Sequence, residues 1–495
     1  MYFCYKTILM QDLFVYSTVA KTKVKFEPIK TPNVGMYVCG PTVYSDVHIG
    51  NCRTFISFDV IYRYLTFIGY NVRYVRNITD VGHLENDADE GEDKISKKAK
   101  LENLEPMEVV QKYTNGFHAV LEKFNNKKPS IEPTATGHLL EQIEYVQGII
   151  DNGYGYESNG SVYFDVENFA KEYKYGELSG RKIDELQSNT RELTGQDEKK
   201  CPLDFVIWKK AGPSHIMQWN SPWGKGFPGW HLECSVMSTK YLGKQFDIHG
   251  GGMDLKFPHH ESEVAQNTAH SGCAGSVKYW LHTNMLTLNG DKMSKSTGKY
   301  FLPEQMFDGS TDLLDKAYSP AVVRFSMMQC HYRSTMDLSN DALSAAEKGL
   351  QRIKESIKKL ASPFLKESPK AGRVEAFTER CFAAMNDDFN APVLVATLFD
   401  AVKFINSLEL STEEAGDFEK LFNDFLVEIL GIELSENEGS KEIGIEEGLV
   451  QLTIDLRAKA KSDKDWGTCD LIREELGKLG VQLKDSKEGT VWVKE

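Results

Sequence analysis

The sequence predicts an α/β fold in which a parallel sheet is split by an inserted subdomain and followed by a helical bundle and a small α+β module. Residues 34–79 show a strand, a loop, a helix and a second strand, and this alternation resumes only after residue 215. From residue 343 the pattern becomes that of amphipathic helices. The sheet is therefore expected to precede the bundle.

The first half of the sheet is predicted from two strand patterns. The segment VGMYVCGPTVY, residues 34–44, is rich in β-branched and aromatic residues, and NVRYVRNIT, residues 71–79, is similar. Residues 48–65 between them follow helical spacing. Two strands joined by a helix are parallel with a right-handed crossover, so this unit predicts an open parallel sheet.

The remaining elements follow in order along the chain. Residues 130–215 bring glycines, tyrosines and alternating stretches such as SVYFDV, which indicate an insertion. Strand and helix patterns return at GWHLECSVMSTKYLG and QFDIHGGG. Apolar residues from Leu343 to Leu360 alternate at helical spacings, and the polar, acidic segment 433–447 is typical of a linker.

Composition limits the class of protein. A chain of 495 residues predicts roughly two to four domains, because it exceeds the size of one hydrophobic core. The 58 basic and 72 acidic residues give a net charge of −14, which argues against coating nucleic acid through a general positive field. Any contact with nucleic acid is expected to be local.

Apolar runs and cysteines indicate the compartment. The sequence has no apolar run long enough for a membrane span, and its first residues are too interrupted for a secretory signal. We therefore expect a cytoplasmic protein. The nine cysteines are scattered without a CxxC pair, so any metal site must be assembled from residues distant in sequence.

Two motifs suit a reaction on ATP. His48-Ile49-Gly50-Asn51 opens the predicted helix after the first strand, where free N–H groups and the helix dipole favour phosphate. Alone it would more often be a helix start with an incidental histidine. Lys292-Met293-Ser294-Lys295-Ser296 supplies two ammonium groups and two hydroxyls. Attack of a carboxylate on the α-phosphate needs positioning and charge stabilisation, which the pair of motifs provides.

A third motif lies between these two. His249-Gly250-Gly251-Gly252-Met253-Asp254 has three glycines, which let a ligand approach the backbone, and a carboxylate able to hold ribose hydroxyls. A triple glycine alone is more often a plain loop. Its position after a predicted strand and between the other motifs favours an adenosine site.

Four residues form a candidate metal site: Cys39, Cys234, His259 and Glu263. His259 and Glu263 are four residues apart, so they share one face of a helix. The four supply the sulfur, nitrogen and oxygen donors that zinc accepts. Each is unremarkable alone, since buried cysteines are usually inert. His260 is a competing candidate beside His259.

The motifs resemble those of class I aminoacyl-tRNA synthetases, since the first is similar to the HIGH signature and the second matches the KMSKS signature. The segments YVCG, GWHLEC and FPHHESE further resemble the zinc-carrying segments of cysteinyl-tRNA synthetases. Asn51 departs from the family, which usually has a second histidine there. The resemblance implies a Rossmann-type catalytic domain that forms cysteinyl-adenylate and transfers cysteine to tRNA(Cys).

The resemblance also implies cofactors and roles. It implies a monomer with one zinc ion per chain at the four candidate ligands, since the family pattern uses the first of the two adjacent histidines, and ATP with Mg as co-substrate. Thr79 and Trp230 match positions that line the amino-acid pocket, although either also fits a plain core. The catalytic residues implied are His48, Asn51, Lys292 and Lys295, and the ATP site adds His249, Gly250, Gly251, Gly252 and Asp254.

Cysteine and serine differ by one atom, which gives the expected zinc a purpose. An apolar pocket separates such similar side chains by only ~10–200-fold. Zinc prefers a thiolate and lowers the thiol pKa, so it discriminates against a hydroxyl. We therefore expect the metal to select the substrate.

The family's domain order gives expected boundaries for this chain. Trp466, Asp470 and Arg473 in the terminal module offer stacking and hydrogen-bonding groups for tRNA bases, and they fit a plain amphipathic helix equally well. The expected divisions are 1–125 and 216–290 for the two catalytic halves, 126–215 for the inserted connective subdomain, 291–342 for the KMSKS loop and stem-contact region, 343–432 for the anticodon-side helical bundle, 433–447 for the linker, and 448–495 for the small anticodon-binding module.

Two other functions fit parts of the sequence. A ligase of the same superfamily that joins cysteine to a small amine such as an amino sugar would share the catalytic half and the zinc ligands, but it needs no anticodon-reading tail. A catalytically inactive regulator that binds zinc and nucleotide is suggested only by Asn51. Met10 resembles a more usual family start, so residues 1–9 are a candidate upstream extension.

Overall fold

A parallel four-stranded sheet forms the centre of the computed structural model, which describes residues 12–84, 91, 93–182, 198–213, 215–292, 301–360, 373–407, 410–434, 445–478, 481–486 and 489–494. The chain divides into two units, residues 1–434 and residues 435–495. Among the described residues, no helix has both the length and the apolar character needed to cross a membrane.

Strands and helices both occur throughout the chain up to the last strand of the parallel sheet. In chain order they are β1 (Phe14–Ser17), β2 (Thr22–Lys25), β3 (Asn33–Val38), α1 (Ile49–Phe67), β4 (Asn71–Arg76), α2 (Lys94–Glu102), α3 (Pro106–Lys123), α4 (Leu139–Asp151), β5 (Gly155–Ser158), β6 (Ser161–Phe164), α5 (Val166–Phe169), β7 (Phe205–Lys210), β8 (Trp219–Ser221), β9 (Gly224–Pro228), α6 (Leu232–Leu242), β10 (Phe246–Gly252), α7 (His259–Ser271) and β11 (Val277–Thr283).

Helices dominate the rest of the chain. The first unit continues with β12 (Leu286–Leu288), β13 (Asp291–Lys292), α8 (Pro303–Asp308), α9 (Pro320–Met328), β14 (Met336–Leu338), α10 (Asn340–Leu360), α11 (Arg373–Asn386), α12 (Ala391–Ser407), α13 (Thr412–Phe422) and a π-helical segment (Asn423–Ile429). The second unit contains α14 (Ile445–Ser462), α15 (Trp466–Lys478) and the antiparallel hairpin of β15 (Val481–Ser486) and β16 (Gly489–Lys494).

The parallel sheet has the strand order β11–β10–β3–β4. The chain winds from β3 through α1 to β4 on one side, whereas β10 and β11 lie on the other side of β3. The direction of winding therefore reverses between β3 and β10, and open α/β sheets bind ligands beyond the carboxyl ends of strands at such a point. The predicted α/β fold with a split parallel sheet is confirmed.

The insertion forms an antiparallel sheet in the order β5–β6–β7–β9–β8. The predicted SVYFDV stretch supplies β6, whose four residues are all buried. Val162 and Trp208 of this sheet share a core with Leu232 of α6 and Ala265 of α7. The insertion thus supports the two helices that carry candidate metal ligands.

The helical spacing predicted from residue 343 falls on α10, which begins at Asn340. In α10 the buried apolar residues are Leu343, Ala346, Leu350, Ile353 and Leu360, so one face of the helix joins the core. The described part of the bundle packs into the same hydrophobic core as the parallel sheet.

A buried charge network joins α1 to the bundle. Asp59 accepts hydrogen bonds from Arg63, at 2.7 Å, and from Arg324 of α9, and all three side chains are buried. Arg324 also donates to the carbonyl oxygens of Leu430 and Phe124, each at 2.7 Å. A buried ion pair needs such additional hydrogen bonds to offset desolvation.

Asp59→Asn is expected to destabilise the first unit by about 3–5 kcal/mol, because two buried guanidinium groups lose their carboxylate. The measurement is the urea midpoint of unfolding followed by tryptophan fluorescence. Glu347→Gln is the matched control, since it breaks an exposed pair with Lys316 and should cost less than about 1 kcal/mol. Equal losses in the two variants would contradict the role given to the buried network.

Candidate functional site

The candidate site lies at the carboxyl ends of β3 and β10. Cys39 follows β3 directly, and its N–H donates to the carbonyl oxygen of Gly250 in β10 at 3.0 Å. Parallel pairing thereby brings together two segments that are far apart in sequence. Cys234 comes from the first turn of α6, and His259 and Glu263 come from α7.

The four predicted metal ligands converge. The Sγ atoms of Cys39 and Cys234 are 3.8 Å apart, Cys39 Sγ is 3.7 Å from Glu263 Oε1, and His259 Nε2 is 3.2 Å from that same oxygen. One ligand atom from each residue lies within 4.8 Å of the other three, and all four side chains are buried. The arrangement can hold a metal ion with two sulfur, one nitrogen and one oxygen donor.

A second set overlaps with the first. Cys39 and Glu263 also meet His249 and His260, again with ligand atoms within 4.8 Å of one another. His260 Nε2 is 3.3 Å from Cys39 Sγ, and His260 Nδ1 is 2.9 Å from His282 Nε2. His249 Nε2 is 2.7 Å from Glu263 Oε2. Both adjacent histidines, which the sequence left in competition, therefore reach the cluster.

The cavity distinguishes the two sets. Cys39, Cys234 and His259 line a cavity of about 420 Å³, whereas His249 and His260 are not among its lining residues. The first set therefore places three of its four residues at the cavity, whereas the second set places Cys39 alone there. His259 Nδ1 lies 3.0 Å from His231 Nδ1, an outer contact of the kind that orients a metal-ligating imidazole.

Burial controls the protonation of the cluster. Desolvation raises the pKa of Cys39 well above its usual range and that of Cys234 to about 12. It also raises the pKa of Glu263 and lowers the pKa of His260 well below its usual range. Without a cation these groups favour their neutral forms, so binding of a divalent metal would displace protons from the thiols.

The first ATP motif forms a helix cap. His48 is the N-cap of α1, and the Asn51 N–H donates to His48 Nδ1 at 3.3 Å while the His48 N–H donates to Asn51 Oδ1 at 3.4 Å. Both residues line the same cavity as Cys39, Cys234 and His259. Asn51 thus completes the cap, and its amide retains N–H donors of the kind that a phosphate or ribose oxygen accepts.

The glycine motif packs too closely for any side chain. A Cβ on Gly250 would meet the Phe58 ring at 2.2 Å, and a Cβ on Gly251 would meet the His260 imidazole at 2.8 Å. Gly252 and Asp254 line the cavity, whereas His249, Gly250 and Gly251 are not among its lining residues. Gly250 and Gly251 therefore permit tight packing against Phe58 and His260, and Gly252 offers backbone to a ligand.

Thr79 and Trp230 both line the cavity. The Thr79 hydroxyl donates to Glu233 Oε1, which also accepts from the amide of Asn77 at 3.3 Å. The Trp230 ring stacks on His83 at 4.1 Å between centroids and lies 4.6 Å from the His259 ring. The Trp230 ring thus forms a wall of the cavity beside the candidate ligand His259.

Sequence reasoning missed several residues of the cavity. Asn77 follows β4, accepts from the Gly40 N–H at 2.9 Å, and has its Oδ1 3.7 Å from Cys234 Sγ. Its place near the carboxyl end of a predicted strand was a usable signal.

Two further charged residues line the cavity. Glu233, beside the candidate ligand Cys234, is buried, and burial raises its pKa well above the usual range. Lys94 also lines the cavity, and its Nζ lies 2.7 Å from Nε2 of His83.

For two groups of predicted residues, no position relative to this cavity is described. Lys292 ends β13, but its side chain and all of Lys295 lie outside the described residues. Trp466, Asp470 and Arg473 lie on α15 in the second unit, where the Trp466 side chain is 58% exposed. Their predicted roles stay predictions.

Comparison with known proteins gives consistent findings. A family model described as the catalytic domain of class I (C) tRNA synthetases matches residues 25–348, and a DALR domain model matches residues 381–435. The chain is 53% identical to the cysteine–tRNA ligase of Bacteroides fragilis, over 97% of this chain and 99% of that one. It is 42% identical to the same enzyme of Chlorobaculum tepidum, over 98% and 100%.

A solved structure shares the fold at low identity. Methionyl-tRNA synthetase of Mycobacterium tuberculosis bound by methionyl-adenylate aligns with a TM-score of 0.57 and 13% identity, over 81% of this chain and 92% of that one. This likeness concerns the fold alone.

Proposed function

The chain belongs to the cysteine–tRNA ligases, a family of class I aminoacyl-tRNA synthetases, and on that premise we propose how its residues divide the work. The reaction joins cysteine to tRNA in two steps. The cysteine carboxylate attacks the α-phosphate of ATP and pyrophosphate leaves. A hydroxyl of the terminal adenosine of tRNA then attacks the activated carbonyl, and AMP leaves.

The observation that carries the proposal is the convergence of Cys39, Cys234, His259 and Glu263 beside the cavity that contains His48 and Asn51. This donor set suits one zinc ion per chain. When bound, zinc accepts a thiolate in preference to a hydroxyl and so selects cysteine over serine. The four side chains would hold that ion, and three of them, Cys39, Cys234 and His259, line the cavity assigned to cysteine and ATP.

The amino-acid side of the cavity is assigned to Thr79 and Trp230. The Thr79 hydroxyl is oriented by Glu233, and the Trp230 ring is held between His83 and His259. These contacts fix both side chains before substrate enters, which lowers the cost of positioning it.

The ATP side of the cavity is assigned to the three sequence motifs. The amino-terminal N–H groups of α1, with His48 and Asn51, offer donors to phosphate. The Asp254 carboxylate is suited to ribose hydroxyls, and the glycine motif lets the nucleotide approach the backbone. Lys292 and Lys295 are assigned to the charge that develops on pyrophosphate, together with the Mg that accompanies ATP.

The part of the chain beyond the catalytic region supports tRNA as the acceptor rather than a small amine. Residues 381–435 match the DALR domain, and the relatives align through the terminal module. In that module we assign base contacts to Trp466, Asp470 and Arg473. We further propose that the protein is a cytoplasmic monomer and that the domain boundaries expected from the sequence apply.

Replacement of a metal ligand is expected to remove the metal. Cys234→Ser and His259→Ala should each lose most bound zinc and weaken cysteine binding, while ATP binding persists because its groups lie on other elements. The measurement is zinc per chain by mass spectrometry, with cysteine and ATP affinities by calorimetry. His260→Ala is the matched variant and should keep its zinc. Loss of zinc in His260→Ala, with zinc retained in His259→Ala, would reverse the ligand assignment.

Cysteine-dependent exchange of pyrophosphate into ATP tests the function. The wild-type chain should catalyse exchange with cysteine. Its preference for cysteine over serine should far exceed the ~10–200-fold discrimination that an apolar pocket provides. Lys295→Ala should slow the exchange without loss of zinc. Exchange that is independent of cysteine would refute the proposal. Exchange without transfer of cysteine to any tRNA would instead favour a ligase acting on a small amine.

A further inference from the structure

One buried arginine joins the segments that lead to the two ATP signatures. Arg53 lies in the second turn of α1, two residues after Asn51, and its side chain is 1% exposed. Its Nη1 donates to the carbonyl oxygens of Asn284 and Met285, at 2.9 and 2.6 Å. Both acceptors directly precede β12, the strand that leads through β13 into the second signature.

The other side of the same guanidinium holds a second segment. Arg53 Nη2 donates to the carbonyl oxygens of His331 and Ser334, at 3.2 and 2.6 Å, and contacts Cys330 Sγ at 3.6 Å. This loop leads into β14, which pairs with β12 in parallel. The Arg53 side chain therefore joins α1 to the segments that precede β12 and β14. These two strands pair in the small sheet whose third strand, β13, ends at Lys292.

The loop is anchored on its far side, so it gives Arg53 fixed acceptors. Tyr332 donates from its hydroxyl to Asp388 Oδ1 at 2.8 Å, and Arg333 Nε donates to Asp388 Oδ2 at 2.6 Å. The Asp388 side chain is completely buried at the turn between α11 and α12. Asn284 also binds the loop, since its Nδ2 donates to the carbonyl oxygen of Arg333 at 2.9 Å.

A guanidinium suits this place better than any other cationic group. Its planar fork has five donors that can reach two segments at once, whereas an ammonium donates from a single point. The described hydrogen-bond acceptors of Arg53 are carbonyl oxygens and one sulfur, so its burial serves the geometry of these segments and forms no described ion pair. Such a group fixes the relative position of the elements it joins.

We propose that Arg53 is a positioning residue for adenylate formation, because it holds the helix of the first signature in register with the strand that leads into the second. The inference rests on the proposed assignment of both signatures to ATP. Those signatures are far apart in the sequence but act on the same phosphates. A misplacement of about 1 Å between groups that share a reaction can cost ~100-fold in rate.

Arg53→Lys tests the inference. It keeps the charge but cannot reach four carbonyl oxygens in two segments, so kcat for cysteine-dependent pyrophosphate exchange should fall roughly 10–100-fold. Zinc per chain and the KM for cysteine should stay near their wild-type values, because the metal ligands lie on other elements. The measurements are exchange kinetics, zinc content and the thermal unfolding midpoint.

Arg63→Lys is the matched control on the same helix. Arg63 is buried as well, but it binds Asp59 and the carbonyl oxygens of Asn125 and Glu428, none of which belongs to either signature. Arg63→Lys should lower the thermal unfolding midpoint, as Arg53→Lys does, but leave kcat close to the wild-type value. Equal losses of kcat in the two variants, or wild-type kcat in Arg53→Lys, would overturn the inference.

Asn284→Ala keeps the test decisive if Arg53→Lys does not fold. This substitution removes the hydrogen bond from Asn284 to the Arg333 carbonyl oxygen without burying an unpaired charge. The kcat for exchange should fall, as in Arg53→Lys, but by a smaller factor. Wild-type kcat in this variant would count against the inference. All variants are judged as ratios to the wild-type chain, so absence of cysteine-dependent exchange in the wild type would refute the proposed function instead.

Discussion

The parallel pairing of β3 with β10 is the constraint on which the site depends. The hydrogen bond from the Cys39 N–H to the Gly250 carbonyl continues this ladder beyond the last residue of β3. It brings the first candidate metal ligand against the glycine motif, although the whole insertion separates them in sequence. A Cβ on Gly250 would clash with Phe58 of α1, so the same contact also fixes the helix of the first ATP signature. The candidate metal ligand Cys39, the glycine motif and the start of α1 are thus positioned by one strand pair.

The site beside that strand pair combines thiol, imidazole and carboxylate groups, none of which would identify a metal site on its own. The thiols and the carboxylate of the cluster are buried, which raises their pKa values and makes a divalent cation the natural partner of their ionised forms. Catalysis by such a site consists of positioning and charge stabilisation, because no side chain needs to form a covalent intermediate. Under the proposed function, substrate choice would then lie in the affinity of the metal for sulfur.

Much of this architecture could be predicted from the sequence because its signals are local. Strand, turn and helix patterns located β3, α1 and β4, and short motifs located the four candidate ligands. Contacts between distant residues gave no such signal. The oxygen partners of Arg53 are backbone carbonyl groups, which no sequence pattern reveals, and Asp59 meets Arg324 although 265 positions separate them in the sequence. Asn77 had a usable signal at a strand end, whereas the orientation of Thr79 by Glu233 required the fold.

In the proposed function, Cys39, Cys234, His259 and Glu263 hold the metal that recognises the substrate sulfur. Extended X-ray absorption fine structure at the zinc edge measures the sulfur atoms around the ion directly. We expect two sulfur neighbours in the resting protein, three after addition of cysteine, and no change with serine. One sulfur neighbour at rest would identify the overlapping set of Cys39, His249, His260 and Glu263 instead. A sulfur count that cysteine does not raise would contradict recognition of the substrate by the metal.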